Sequence, residues 1–126
     1  MDWKFAPDVK LRLDRLLKSN LFPHISATKI TALRGYGSTG RAIARIWSLP
    51  RPWQLALKIS PQYIIEVIAE RFDKMSPEDQ DRTLIHELMH IPKTFSGALV
   101  SHRGRYHRID HKTVEKIYEN ITSARR

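Results

Sequence analysis

The chain has 126 residues, 41% of them hydrophobic, which is enough for one domain spanning 1–126 with a real core. It has no cysteine, so disulfides and thiolate metal sites are excluded, and no apolar run nears the roughly 20 residues of a membrane span. The N-terminus is charged and lacks the apolar stretch of a signal peptide, so the expectation is a cytoplasmic protein.

The net charge of +9 is unevenly spread. Residues 1–60 carry 11 Lys and Arg against 3 acids, residues 61–90 carry 3 against 7, and residues 91–126 carry 8 against 3. A field of this sign attracts nucleic acid or other acidic partners, although no recognised nucleic-acid module accompanies it.

In chain order, residues 7–19 place Val9, Leu13, Leu16 and Leu17 at helical spacing behind Pro7, which predicts an amphipathic helix. Residues 28–36 alternate loosely and predict a strand. "GSTG" at 37–40 is turn chemistry, and residues 41–47 alternate cleanly, so the pair reads as a hairpin. Residues 53–59, "WQLALKI", alternate again and predict a strand with Trp53, Leu55, Leu57 and Ile59 on one face. "YIIEVI" at 63–68 is β-rich and predicts a buried strand. Trp3, Trp47 and Trp53 are expected in the core.

Residues 76–92, "SPEDQDRTLIHELMHIP", give the clearest helix. Ser76 suits the N-cap, Pro77 the first helical position, and Glu78 and Asp79 the positive first turn. Pro92 stops the helix after Ile91. Residues 93–101 read as a loop around Gly97. A last helix carries Val114, Ile117, Tyr118 and Ile121 as its inner stripe. The order predicts an α+β fold: a small three- to four-stranded sheet packed on the H-E-L-M-H helix, with N- and C-terminal helices.

The chemistry lies in "IHELMHIPK", residues 85–93. Positions i and i+4 of a helix share a face, so the imidazoles of His86 and His90 can reach one zinc ion. Glu87 is rotated one residue around the helix. There it can act as general base toward a water that the metal has acidified. Leu84, Leu88 and Ile91, widened by Ile85 and Met89, form a separate apolar side.

A catalytic zinc takes three protein ligands and one open position. His102, His107 and His111 are candidates for the third, with Glu115 and Glu119 as acidic alternatives. His102 has the best local case, because it follows a glycine-containing loop long enough to fold back. His107 is the next candidate. The short metzincin spacing is excluded, since its offsets hold Lys93 and Ser96. Tyr106, Arg105 or His107 could steady an oxyanion beside the metal. His24 reads as an ordinary surface histidine. An edge strand beside the metal, either 63–68 or 53–59, would bind an extended peptide.

The run "LIHELMHIPKTFSGALVSHRGRYHR" resembles the metallopeptidases of archaea and their phage-encoded relatives, and the likeness extends over residues 3–118. More distantly it is similar to SprT-like zinc peptidases, the class that includes Spartan, in which the motif is followed by a loop and H-G-x-x-F. Here His102 and Tyr106 match the outer positions, while Arg103 replaces the glycine and Gly104 stands one place later. The resemblance implies a minimal zincin-like fold, one Zn2+ per chain, a third ligand at His102 and an endopeptidase with Glu87 as its base. Two alternatives remain: a DNA- or RNA-binding protein with a structural or vestigial zinc site, and a peptidase acting on DNA-bound proteins. The partners expected are a peptide or protein substrate and, from the charge, nucleic acid, with no membrane.

Overall fold

The computed structural model describes residues 1–102 and 108–124. Among these residues the chain forms an open, mixed four-stranded sheet and five α-helices, an α+β arrangement compatible with a small zincin-like fold. No helix among the described residues is long and apolar enough to cross a membrane.

Strand β1 (Asp2–Phe5) lies antiparallel to β2 (Ile30–Tyr36), and helix α1 (Pro7–Leu17) lies between them in sequence. In α1, Pro7 starts the first turn, where its missing N–H costs nothing, and Val9, Leu13 and Leu16 are buried. Strand β3 (Ala44–Ser48), helix α2 (Arg51–Leu57) and strand β4 (Tyr63–Ile68) follow. The sheet order is β1-β2-β4-β3, with β2 and β4 parallel and β3 and β4 antiparallel.

This order corrects the hairpin expected from residues 28–47: β4 lies between β2 and β3. The reason is in the side chains. Of the strands, β4 is apolar at most positions on both of its faces and is buried almost throughout, which suits a central position. Strand β3 alternates and takes the edge. Neither 63–68 nor 53–59 is therefore the edge strand.

Residues 53–59 are likewise not a strand. Pro50 and Pro52 flank the start of α2, where proline favours helical φ and supplies no N–H to a sheet ladder. Lys58, at φ 55°, caps the helix by donating to Gln54 and Leu55 carbonyls. Gln54 is the buried residue of α2, and Leu55, Leu57 and Ile59 are exposed. All three tryptophans are exposed as well, Trp3 at 49%, Trp47 at 46% and Trp53 at 58%, so the expectation of core positions fails.

On β4, Tyr63, Ile65 and Val67 point into the core shared with the helices, which leaves Glu66 on the other face. Glu66 is fully buried. Its Oε1 accepts from Trp47 Nε1 at 2.8 Å and pairs with Arg45 at 3.2 Å. Oε2 has no hydrogen-bond partner among the described residues.

After the short helix α3 (Ala69–Phe72) comes α4 (Pro77–Leu88). Ser76 caps α4 as expected, its Oγ accepting from Asp79 N at 3.2 Å. Leu84, Ile85 and Leu88 are fully buried, and Met89 and Ile91 nearly so. Arg12 of α1 binds Gln80, the Pro77 carbonyl at 2.7 Å and Asp81 at 2.7 Å, which fixes the two helices together. Helix α4 packs on β3 and on α5 (His111–Ala124). Asp110 starts α5 through reciprocal bonds with Thr113, and Val114 and Ile121 bury its inner stripe.

Candidate metal centre

Helix α4 ends at Leu88, earlier than Ile91, because the last turn tightens: His90 N donates to Glu87 O and Ile91 N to Leu88 O, each at 3.1 Å. Pro92 then turns the chain away. His86 and Glu87 therefore sit in the final helical turn and His90 on the tightened turn beyond it. The His86 and His90 rings are 5.2 Å apart between centroids.

The loop after Pro92 doubles back. Phe95 N donates to Pro92 O at 2.9 Å, Phe95 and Gly97 both adopt positive φ, and Val100 N reaches His90 O at 2.7 Å. The return delivers His102, whose Nε2 lies 3.0 Å from His86 Nε2 and whose ring centroid is 4.5 Å from that of His90. The ligand atoms of His86, His90 and His102 all lie within 4.8 Å of one another.

The protonation states suit a cation. His90 Nδ1 lies 2.6 Å from the Val100 carbonyl, which can only accept. Nδ1 thus carries a proton, which leaves Nε2 as the nitrogen able to offer a lone pair to a metal. Burial, followed by the neighbouring His90 and His102, pushes the His86 imidazole down to about 4, so it is neutral with a lone pair to give. Three imidazoles are a donor set for a first-row divalent metal ion.

Glu87 is 7% exposed, and burial pushes its carboxyl up to about 7. It borders, with His86, a cleft of about 490 Å³. Ile43 and Ala44 at the start of β3 form one wall, Met75 and Val114 add apolar surface, and Arg41, Arg82 and His111 are its basic groups. These walls come from four separate segments, and no local pattern in the sequence announces them.

The remaining candidates are placed as follows. His111 lines the cleft at the start of α5 but is not in the histidine cluster. Glu115 binds Arg82 instead, and Glu119 is exposed. His24 hydrogen-bonds across to the Ile91 carbonyl at 3.1 Å. Arg105, Tyr106 and His107 lie outside the described residues. The Val100 carbonyl, which orients His90, was not foreseen, because backbone partners leave no residue-type signal.

A family model described as "Putative phage metallopeptidase" matches residues 1–121. The chain belongs to this family. The match takes in every strand, the histidine cluster and most of α5. Membership implies a peptidase that uses a metal ion and acts on peptides. No curated protein and no solved structure matches the chain.

Proposed function

We propose that this phage-metallopeptidase chain is a zinc-dependent endopeptidase in which His86, His90 and His102 hold the metal and Glu87 is the general base. The observation that carries the reading is the convergence of three imidazoles, one of which, His86, lines a cleft together with the buried carboxyl of Glu87. Three histidines and one open position is the ligand count of a catalytic zinc site. When bound, zinc polarises the scissile carbonyl and acidifies a water.

The remaining steps belong to the chain. Glu87, held near neutrality by burial, takes a proton from the attacking water and returns it to the leaving amine. The His90–Val100 bond keeps the His90 ring in one tautomer. Strand β3 is a sheet edge that packs against α4, so an extended substrate can add to it as a further strand and cross Glu87.

Purified protein should hold about one zinc per chain. Glu87→Gln should keep the metal and lose cleavage of an unfolded protein substrate. Cleavage by Glu87→Gln at the wild-type rate would remove the assignment.

One observation favours a second reading, a peptidase that works on proteins held on nucleic acid. Residues 15–65 contain eight Lys and Arg and no acid, and Trp3, Trp47 and Trp53 are all exposed. Cation and aromatic groups together bind single strands. Binding of single-stranded DNA that weakens steeply with salt supports this reading, and no binding at low salt ends it.

A further inference from the structure

The loop that carries His102 is tied down at one short turn by two side chains from elsewhere in the fold. Tyr63, in the central strand, is 1% exposed, and its hydroxyl projects from β4 to the backbone of residues 97–98. That hydroxyl accepts from Gly97 N at 2.8 Å and donates to Ala98 O at 2.9 Å. Burial pushes the Tyr63 phenol up, so the proton that it donates stays in place. Gln54 Nε2 donates to Leu49 O at 2.8 Å and to Ser96 O at 3.0 Å.

The turn fits this grip and little else. Gly97 has φ 93°, and a Cβ there would collide with Gln54 Nε2 and lie 2.7 Å from Leu49 O. The Phe95 ring stacks at a tilt on Tyr63, 5.2 Å between centroids. Three residues beyond Gly97, Val100 makes its two bonds to His90, and two residues further on His102 meets His86.

We propose that Tyr63 and Gln54 are positioning residues for the metal centre: they hold the 96–98 turn by its backbone, so that the Val100 carbonyl and His102 arrive at His90 and His86. The proposal rests on the metal-ligand reading above. Neither side chain is among the cleft-lining residues, and neither belongs to the histidine cluster. Both act through the loop. Partners that orient ligands from behind commonly change metal affinity by about 10- to 100-fold when removed.

The test uses Tyr63→Phe, which removes the hydroxyl and keeps the ring, with Gln54→Ala as a second variant in case the first does not fold. Zinc affinity is measured by competition with a chromophoric chelator, in wild-type and His102→Ala backgrounds. Trypsin cleavage after exposed Lys93 is timed in metal-free protein. Zinc binding at least about tenfold weaker is expected in the wild-type background, with a smaller loss once His102 is absent, since only the Val100–His90 arm then remains, and cleavage at Lys93 should quicken. Wild-type zinc affinity in a folded variant overturns the proposal, and so does an equal loss in both backgrounds, which would mark a general effect on folding. If wild-type protein itself binds no zinc, the function proposed above falls. The trypsin comparison then still decides the tether, and unchanged cleavage rejects it.

Discussion

Arg82 holds both oxygens of Glu115: its Nε lies 2.8 Å from Oε2 and its Nη2 3.3 Å from Oε1. The guanidinium also stacks on the Tyr118 ring, 4.2 Å from its centroid. This clasp joins α4 to α5 and occupies the carboxylate that could otherwise have been a third metal ligand. Glu115→Ala should therefore leave zinc content at about one per chain and cost at most about 1 kcal/mol, since both groups are partly exposed. His102→Ala should lose most of the zinc. Metal analysis after gel filtration reads both. A metal-free Glu115→Ala would return Glu115 to the ligand set.

Glu87 predicts a pH dependence of stability in metal-free protein. Burial raises its folded pKa from the ordinary 4.5 to about 7. In that window the folded chain binds the proton more tightly than the unfolded chain, so stability falls as pH rises from 4.5 to 7 and stays low above it. Glu87→Gln removes this loss. The metal-free variant should melt about 10 °C above metal-free wild type at pH 8 and level with it at pH 4. Equal melting at both pH values would contradict the burial of a charged carboxylate there.

Arg34 predicts the opposite slope at acid pH. It bonds Asp8 in the first turn of α1 at 2.8 Å and Asp73 after α3 at 2.8 Å. The hydrogen bond from Arg34 holds the Asp8 carboxyl below its ordinary 3.8. The stabilisation is thus present above pH 3.8 and is lost as pH falls through the lower folded value. Arg34→Gln should cost up to about 1 kcal/mol at pH 7, discounted because Asp8 is largely exposed, and less at pH 3. Urea unfolding at the two pH values measures the difference.

Trp47→Phe tests the buried carboxylate of the central strand. The substitution keeps an aromatic ring but takes away the Nε1 donor to Glu66. Glu66 is fully buried and already has one oxygen without a hydrogen-bond partner among the described residues. The expected cost is about 1–3 kcal/mol, read by urea unfolding, with zinc content unchanged.

Much of the architecture was legible because it depends on local chemistry. Ser76, Pro77 and Pro92 mark the two ends of the α4 region, and the 3.6-residue spacing of Val114, Ile117, Tyr118 and Ile121 marks α5. What escaped depends on partners distant in sequence. Strand β1 is four residues long and exposed at all four positions, so its alternation of Asp2, Trp3, Lys4 and Phe5 is too short to stand out. The period-2 pattern of Trp53, Leu55, Leu57 and Ile59 reads as a strand only if one face is buried, and these side chains, three in α2 and Ile59 just beyond it, remain exposed. The hairpin reading treated nearness in sequence as pairing, while burial selected β4 as the neighbour of both β2 and β3. In the candidate site, the shared face of His86 and His90 could be read from spacing. That His102 reaches them depends on Gly97, Tyr63 and Val100, which no spacing rule connects.

The pairing of β2 with β4 also sets an order of assembly. Ile30 aligns with Tyr63 and Gly35 with Ile68, so the central ladder joins residues more than thirty apart. Until residues 63–68 arrive, β3 has no neighbour to pair with, and the β1–β2 ribbon alone is too small to persist. Much of the loop-closure entropy falls on this single docking event, the kind of non-local pairing that slows folding. A nascent chain halted before residue 63 would display Ala44 and Ile46 of β3 with no strand to join. For this protein the interval between synthesis of β3 and synthesis of β4 is one in which an unpaired strand is open to misassociation.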